Sequence, residues 1–324
     1  MATFTTLQDA DVRGLLDGYN LPDYKTFSGV PAGSVNSNFA VETASARYFL
    51  RVYEEQDRAG AEAEARLLTS LADRGVSTPK PVARKDGGVI SDVRGKPAAL
   101  FPWISGSIRC QESVSPEDAE KVGAALARVH TAGEGLPRGA GRFNEADLRA
   151  RLVRIAAADD RELAAQAAPL GASLDRWTRA RKSLRRGLIH GDLFRDNVLW
   201  SDAGDVAALL DFESASDGVL AYDLMVTILA WCVTDDLELE LAQAMARGYT
   251  SVRKLDEAEK AGLVAEGCLA AVRFSITRIT DYAMRGEVGP RVVKDYRRFL
   301  LRLRRLEKIA DTVGEGGLAV ALDL

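Results

Sequence analysis

The chain has 324 residues, of which 47% are hydrophobic and 28% charged, so it can bury a sizeable core under a polar surface. Its net charge of -4 argues against a nucleic-acid-binding protein, because that class carries a strong basic excess. With 3 cysteines and 2 histidines, neither a disulfide framework nor a thiolate or histidine-rich metal site is indicated.

The beginning of the chain lacks the features of an export signal. Met1–Gly14 has neither the basic start nor the apolar stretch of a signal peptide. The most apolar run, Leu224–Val233, is too short to span a bilayer and is typical of a core helix. The sequence therefore predicts a cytoplasmic protein with no membrane segment.

The first part of the chain is predicted to be mostly strand. Ser37–Thr43 and Arg47–Tyr53 are β-branched and aromatic runs joined by a short polar turn, which predicts a hairpin. Arg58–Asp73 follows with apolar residues at helical spacing. A second strand pair is predicted at Val89–Asp92 and Ala98–Phe101.

The rest of the chain is predicted to be mostly helix. Ser115 is a candidate N-cap with Pro116 at the first helical position. Two helices are expected over about 145–186, and helix returns after Leu220. We predict an α+β fold with an N-terminal antiparallel-sheet lobe, residues 1–103, and a mainly helical C-terminal lobe, residues 104–324.

A segment after the predicted helix pair carries the strongest functional signal. Val198–Trp200 and Val206–Leu210 predict an antiparallel hairpin with its turn centred near Gly204. In that register Asn197 lies opposite Asp211, with Cβ atoms roughly 5 Å apart. One amide and one carboxylate suit magnesium, which completes its shell with water and phosphate oxygens.

Asp192 lies on the loop that enters this hairpin, close to the expected metal but not on its strand. A base that orients an attacking hydroxyl must stand in such a position. The alternative for His190-Gly191-Asp192 or for Asp211-Phe212 alone is an ordinary turn or strand end. Their joint occurrence with Asn197 at this spacing favours a phosphotransfer site.

The run His190–Asn197, followed by Asp211–Glu213, resembles the signature of the aminoglycoside phosphotransferase and choline kinase superfamily. That superfamily has a two-lobed, protein-kinase-like fold and uses ATP. The resemblance implies that Asp192 is the catalytic base. It also implies that Asn197 and Asp211 complete the catalytic set by holding Mg²⁺.

Asp223 has two candidate roles. The resemblance implies that it braces the catalytic loop from the start of an apolar helix. Its place near the helix start equally suits an N-terminal cap.

A polar loop, Gly29–Asn38, precedes the first strand of the N-terminal hairpin. By itself it is typical of a surface turn. The superfamily, however, carries its phosphate loop at this place, where glycine permits close backbone approach and polar side chains offer donors. The residues expected to contact the nucleotide are Gly33, Ser34, Asn36, Ser37 and Asn38.

The resemblance places four further residues around ATP. Arg51 stands where the superfamily has a cation, normally lysine, that contacts the nucleotide phosphates. Its expected ion-pair partner is Glu64, with Glu62 as the alternative. Phe101 and Trp103 belong to the segment expected to enclose adenine.

The C-terminal third resembles the kinase-fold type of homoserine kinase at Leu220–Leu224, Arg247–Tyr249 and Ala271–Phe274. This implies phosphorylation of the side-chain hydroxyl of L-homoserine, a step of threonine synthesis. Two positions depart from that group's pattern. Glu213 stands where the group has tyrosine, and Tyr296 stands where it has the proline of a Lys-Asp-Pro turn.

Homoserine carries a carboxylate and an ammonium besides its hydroxyl. The carboxylate calls for an arginine, and Arg273 and Arg278 lie on one predicted helix. The ammonium calls for an acid, for which Glu213, Asp217 and Asp281 are candidates. The alternative is that these arginines only solvate a helix face.

Two other functions compete with homoserine phosphorylation as interpretations of the sequence. One is a kinase of choline, an aminoglycoside or another small alcohol; the arginine-rich stretch 141–186 instead favours an anionic or zwitterionic acceptor. The other is a catalytically dead pseudokinase, against which Asp192, Asn197 and Asp211 all argue. The sequence leaves the oligomeric state open.

Overall fold

A computed structural model describes residues 5–30, 35–181, 183–285, 294–314 and 316–324. The chain divides into two compact units. The first comprises Met1–Ser107 with Leu199–Glu213, and the second comprises Ile108–Val198 with Ser214–Leu324. The first border lies close to the predicted end of the N-terminal lobe at residue 103. The segment Leu199–Glu213, which the sequence assigned to the C-terminal lobe, belongs to the first unit.

The first unit contains a five-stranded antiparallel sheet in the order β1-β2-β3-β5-β4. Its strands are β1 (Tyr24–Gly29), β2 (Ser37–Thr43), β3 (Arg47–Val52), β4 (Ile90–Val93) and β5 (Lys96–Pro102). Its helices are α1 (Asp9–Leu16) and α2 (Arg58–Asp73). The predicted hairpin, strand pair and helix are confirmed, whereas β1 was not predicted.

The central hairpin shows why this sheet forms. Thr43 closes the turn: its hydroxyl donates to the carbonyl of Ala46 at 2.9 Å and accepts from the Ala46 amide at 3.1 Å. Val41 and Leu50 are fully buried in the core of the unit. Each such side chain contributes about 1.5–3 kcal/mol of hydrophobic free energy, which offsets the entropy of ordering the strands.

A second sheet of two strands, β7 (Val198–Trp200) and β8 (Val206–Leu209), forms the predicted hairpin, but with a different register. The Ser201 amide donates to the Asp205 carbonyl at 2.9 Å, whereas a turn centred on Gly204 would pair Ser201 with Ala207. Gly204 has a φ of 77°, which only glycine adopts freely, and this bulge shortens the loop. The predicted register is therefore wrong, and the argument that placed Asn197 opposite Asp211 loses its basis.

The second unit is mainly helical. Its helices are α3 (Pro116–Ala132), α4 (Glu145–Ala156), α5 (Arg161–Ala164), α6 (Ala167–Ala180), α7 (Leu220–Trp231), α8 (Leu239–Val252), α9 (Glu257–Asp281), α10 (Arg297–Val313) and α11 (Gly317–Ala321). Two short strands, β6 (Arg186–Ile189) and β9 (Ser216–Val219), pair antiparallel. The antiparallel sheet and the helical C-terminal part together confirm the predicted fold class.

Helix α3 begins as its sequence predicts. The hydroxyl of Ser115 accepts from the Asp118 amide at 3.2 Å, and the Asp118 carboxylate accepts from the Ser115 amide at 3.0 Å. Pro116 occupies the first turn, where its missing N–H has no intrahelical partner to lose. This reciprocal cap fixes where the helix starts.

Helices α7 and α9 form the centre of the second unit. Leu224–Trp231 of α7 and Gly262–Thr280 of α9 are buried without interruption. A helix buried on all sides holds its polar side chains at fixed positions, since few rotamers fit a close-packed interior. Within the described ranges, no helix is long and apolar enough to cross a membrane.

Candidate active site

The segment from His190 to Asn197 is a loop of the second unit that follows β6 and ends in a short 3-10 turn, Arg195–Asn197; we call residues 190–197 the catalytic loop. Gly191 has a φ of 76°, and a Cβ there would lie 2.9 Å from the backbone carbonyl oxygen of Ser214. Glycine is therefore required on both counts. This sharp bend lies immediately before Asp192.

Asp223 holds the catalytic loop through its backbone. One carboxylate oxygen accepts from the amide of His190, and the other accepts from the amide of Gly191, each at 2.7 Å. Burial by itself would raise the pKa of Asp223, yet the hydrogen bonds that it accepts, led by that from His130, hold the pKa below its ordinary value. Helix α7 is capped by Val219 without a side-chain bond, so bracing, not capping, is the role of Asp223.

Asp192 and Asn197 are neighbours within the loop. The Asn197 side-chain amide donates to the backbone carbonyl of Asp192 at 2.8 Å. That bond orients the amide and leaves its Oδ1 as the atom able to bind a cation. The Asp192 side chain is 25% exposed, so it can meet a substrate.

Asp211 belongs to the first unit and follows β8. Its φ of 61° is rare for any residue other than glycine, asparagine or aspartate. Its Oδ1 is buried and has no hydrogen-bond partner among the residues described. A buried carboxylate oxygen without a donor is costly unless it binds something, so its chemistry fits a hard cation such as Mg²⁺.

Arg51 and Glu64 form the predicted ion pair in the first unit. Arg51 Nη1 lies 3.0 Å from Glu64 Oε1, and their side chains are 16% and 6% exposed. Gln56 Nε2 donates to the other oxygen of Glu64 at 3.1 Å. Burial by itself would lower the pKa of Arg51, but the Glu64 carboxylate and nearby acids including Asp211 raise it, so the guanidinium keeps its charge.

The polar loop of the sequence analysis is described only in part. Gly33 and Ser34 lie outside the described residues. Asn36 accepts from the Glu54 amide at 3.2 Å and donates to Glu213. The Ser37 hydroxyl donates to Glu54, so both polar side chains already have partners inside the unit.

Asn38 and the two aromatic candidates lie on the sheet. Asn38 is the β-partner of Arg51 on the neighbouring strand. Phe101 is buried in β5, while Trp103 lies just beyond the strand with the Arg47 guanidinium 3.7 Å from its ring centroid. The Trp103 amide donates to the Arg47 carbonyl at 3.1 Å, which extends the β3–β5 pairing to this point.

The three predicted acceptor-binding residues have different hydrogen-bond partners within their own units. Glu213 belongs to the first unit, where it accepts from Asn36. Arg273 and Arg278 are both on α9, but they point to different partners. Arg278 donates to the Asp295 carbonyl at 3.0 Å and lies over Phe299, and burial lowers its pKa to about 10.

Arg273 lies beside the catalytic loop. Its Nη1 is 3.4 Å from Asp192 Oδ1, and its side chain is 6% exposed. The guanidinium also contacts two aromatic rings, at 4.1 Å from the centroid of Phe143 and 3.8 Å from that of Phe274. Rings on the guanidinium faces leave its N–H edges for hydrogen bonding.

Arg273 also lines a cavity of about 860 Å³ inside the second unit. Gly191 of the catalytic loop and Ser214 contribute to the same wall. The charged residues that line it are Arg138, Arg142, Arg181, Arg186, Arg273, Glu145 and Asp217. Asp217 pairs with Arg138 at 3.3 Å and with Arg186 at 2.7 Å, and Arg181 pairs with Glu266 at 2.6 Å. Arginines therefore outnumber acids among the residues that line the cavity, although several of them already have an acidic partner.

Comparison with known proteins identifies the family of this chain. Residues 26–259 match the model of the phosphotransferase enzyme family. The chain belongs to that family. It is an ATP-dependent small-molecule kinase, and the resemblance inferred from the catalytic loop is confirmed.

Curated relatives of this kinase carry a more specific name. A homoserine kinase of Gluconacetobacter diazotrophicus is 35% identical, and the match covers 94% of this chain and 96% of the relative. A homoserine kinase of Caulobacter vibrioides is 36% identical over 87% of this chain and 90% of the relative.

Solved structures share the fold at low sequence identity. Spectinomycin phosphotransferase in complex with ADP and spectinomycin has a TM-score of 0.66 at 13% identity, and covers 98% of this chain and 99% of its own. An aminopropanol kinase associated with a microcompartment has a TM-score of 0.64 at 18% identity, and covers 95% of this chain and 99% of its own. These likenesses establish the kinase-like fold.

Sequence reasoning missed the surroundings of the predicted residues. Phe143, which contacts Arg273, is 130 positions upstream by residue number and belongs to no motif. His130 and Tyr249 are hydrogen-bonded to each other, and His130 is also bonded to Asp223. Sequence reasoning assigned neither residue a role, although Tyr249 belongs to the Arg247–Tyr249 motif. No local pattern could have identified these contacts, because each depends on how distant helices pack.

Proposed function

We propose that this kinase transfers the terminal phosphoryl group of ATP to the side-chain hydroxyl of L-homoserine, with Mg²⁺ as the metal. The observation that carries the proposal is the position of Arg273. This buried guanidinium lies 3.4 Å from Asp192 and also lines the cavity. A substrate whose carboxylate binds Arg273 would therefore lie close to Asp192, the proposed base. Two relatives named homoserine kinase support the choice of acceptor.

Asp192 is proposed as the base. When the substrate hydroxyl attacks phosphorus, its proton passes to the Asp192 carboxylate and ADP leaves with the bond electrons. The loop contacts support this role, because Asp223 fixes the backbone before Asp192 and Asn197 fixes the carbonyl of Asp192. A base held at both sides needs little reorganisation to reach the reacting geometry.

Asn197 and Asp211 are proposed to hold Mg²⁺, which would neutralise charge on the phosphates. Asn197 offers an oriented amide oxygen, and Asp211 offers a buried oxygen without a hydrogen-bond donor. Arg51, kept charged by Glu64, is proposed to bind the nucleotide phosphates. Phe101 and Trp103 remain candidates for the adenine site. The candidates for the phosphate loop remain Gly33, Ser34, Asn36, Ser37 and Asn38.

The charges of the cavity favour a substrate with a carboxylate. Choline and aminoglycosides are cations, and both acids that line the cavity are already paired with arginines. A cationic acceptor would therefore meet mainly guanidinium groups. Homoserine offers a carboxylate to Arg273 and a hydroxyl to Asp192, which a simple cation such as choline cannot do.

Acceptor specificity tests the proposal directly. We expect L-homoserine to have a higher kcat/KM than L-serine, choline or an aminoglycoside, with turnover only when Mg²⁺ is present. Serine is shorter by one methylene, so its hydroxyl falls short of the phosphoryl group once its carboxylate is bound, and kcat should suffer most. Phosphorylation of choline without phosphorylation of homoserine would favour the alternative function, a kinase of choline.

The role of Arg273 needs a second comparison. Homoserine methyl ester lacks the charged carboxylate, and its kcat/KM should be lower by about 10- to 100-fold because a buried donor stays unpaired. The Arg273→Ala protein should no longer distinguish the acid from the ester. Arg142→Ala is the matched control, since Arg142 lines the same cavity but is exposed. Equal activity of the wild-type protein on acid and ester would refute carboxylate recognition.

A further inference from the structure

A chain of buried polar side chains continues from Asp223 into the helical core. His130 Nε2 lies 3.0 Å from the same Asp223 oxygen that accepts from the His190 amide. His130 Nδ1 lies 2.7 Å from the hydroxyl of Tyr249. Asp223 and Tyr249 are fully buried and His130 is 1% exposed, so water cannot take the place of any of these partners.

This series of hydrogen-bonded side chains ends at the start of α9. Arg253 Nη1 donates to the Tyr249 hydroxyl at 3.0 Å, and Arg253 Nη2 donates to Glu259 at 2.6 Å. Glu259 also accepts from the Asp256 amide at 3.1 Å, as part of the cap of α9. Arg253 is 7% exposed and Glu259 is fully buried. The buried positive charge is therefore paired inside the protein.

These bonds have one consistent direction. The Asp223 carboxylate can only accept, so His130 donates to it from Nε2. In the singly protonated ring Nδ1 then accepts, and the Tyr249 hydroxyl is its donor. Burial raises the pKa of Tyr249, so that hydroxyl keeps its proton, and its oxygen accepts from Arg253. Tyr249 thus selects the His130 tautomer that donates to Asp223.

Two glycines allow close approach of α3 and α8, the helices that carry His130 and Tyr249. A Cβ on Gly123 of α3 would lie 2.1 Å from the Met245 carbonyl oxygen of α8. A Cβ on Gly248 of α8 would lie 1.9 Å from the Glu120 carbonyl oxygen of α3. The backbones are therefore nearly in contact, which sets the distance between His130 on α3 and Tyr249 on α8.

We propose that His130 and Tyr249 are positioning residues for phosphotransfer, which hold Asp192 in place through Asp223 and the catalytic-loop backbone. Neither residue needs to touch a substrate. His130 supplies the donor that keeps Asp223 directed at the loop amides. Tyr249 maintains that donor by fixing the tautomer, and Arg253 fixes the direction of the tyrosine hydroxyl. The role depends on hydrogen-bond direction rather than on side-chain volume.

Tyr249→Phe tests the proposal, since it retains the buried ring but removes the hydroxyl. The acceptor is whichever alcohol the wild-type protein phosphorylates, so a failure of the homoserine assignment does not affect this test. We expect kcat to fall by about 10- to 100-fold, as small misplacements of catalytic groups do, with KM for ATP within about twofold of wild type. Tyr19→Phe is the matched control, because Tyr19 is buried and its hydroxyl lies 3.0 Å from Ser91 Oγ in the first unit. It should lower thermal stability and leave kcat unchanged.

A pair of substitutions at His130 tests the direction of the bonds. His130→Gln retains a donor near the Nε2 position, toward Asp223, whereas His130→Asn retains an amide near the Nδ1 position, toward Tyr249. We expect the glutamine variant to keep a kcat about tenfold higher than the asparagine variant, although both lose ring packing. Equal kcat in the two folded variants, or a Tyr249→Phe kcat within about twofold of wild type, would overturn the proposal. Either comparison decides the question if the other variant does not fold.

Discussion

Arg273 Nη1 and Asp192 Oδ1 lie 3.4 Å apart, on α9 and on the catalytic loop. The two residues are 81 positions apart in the sequence. Arg273 lines the cavity, so this contact connects the cavity wall with Asp192, the proposed base. A substrate whose carboxylate binds Arg273 would therefore have its hydroxyl near Asp192, if the two groups are only a few bonds apart in the substrate.

The role of Asp192 can be tested with a substitution that preserves its shape. Asp192→Asn can still accept a hydrogen bond from Arg273 but cannot take up the hydroxyl proton. We expect kcat to fall by about 10²–10⁴-fold, with little change in either KM, as measured by steady-state kinetics. A rise in KM with an unchanged kcat would instead make Asp192 a binding residue.

Asp211 is expected to bind the metal. Asp211→Asn suits the left-handed backbone at this position but removes the charge, so the protein should stay folded. We expect turnover to be lost and Mn²⁺, a paramagnetic substitute for Mg²⁺, to bind at least tenfold more weakly in the presence of a non-hydrolysable ATP analogue. Asp202→Asn, in the exposed turn of the same hairpin, is the control and should bind Mn²⁺ normally. Unchanged Mn²⁺ binding by Asp211→Asn would contradict the assignment.

Arg51 should contribute both to stability and to ATP binding. Arg51→Met leaves the buried Glu64 carboxylate without its cation and should lower the free energy of unfolding by about 3–5 kcal/mol. Adding Glu64→Gln should restore most of the stability but not the KM for ATP, because the phosphate-binding charge is still missing. Urea denaturation and ATP kinetics separate the two effects.

A matched exposed pair provides the control for that measurement. Arg66→Met removes the pairing with Glu62, in which the arginine side chain is 68% exposed, and should change stability by less than about 1 kcal/mol. If Arg51→Met lowered the free energy of unfolding no more than Arg66→Met does, the buried Arg51–Glu64 pair would not contribute more to stability than an exposed pair.

The close approach of α3 and α8 predicts a large difference between two glycines. Gly248→Ala places a methyl group against the backbone carbonyl of Glu120, which cannot move aside, so we expect a loss of at least about 3 kcal/mol of stability. Gly171→Ala in α6 meets only Leu152 Cδ1 at 3.9 Å and should be neutral or stabilising by up to about 1 kcal/mol. Thermal unfolding measures both. Similar stabilities would mean that α3 and α8 can separate at little cost.

Much of the fold and the phosphotransfer function could be predicted from the sequence because the signals are local. The β-branched and aromatic run in Ser37–Thr43 and the helical spacing in Arg58–Asp73 give the observed elements with the same bounds. The order and spacing of His190, Asp192, Asn197 and Asp211 are enough to predict phosphotransfer. The family match bears out that function.

Tertiary structure decided what lies around those residues. The glycine bulge at Gly204 changed the hairpin register, because a single left-handed residue shortens the loop. Close packing of helices brought Phe143 to Arg273 and Tyr249 to His130 across long stretches of chain. The sequence by itself determined which residues can do the chemistry, since that depends on residue type and spacing. Only packing decided which partners hold them, because contacts between distant helices follow from how well their surfaces fit and leave no periodic trace in either segment.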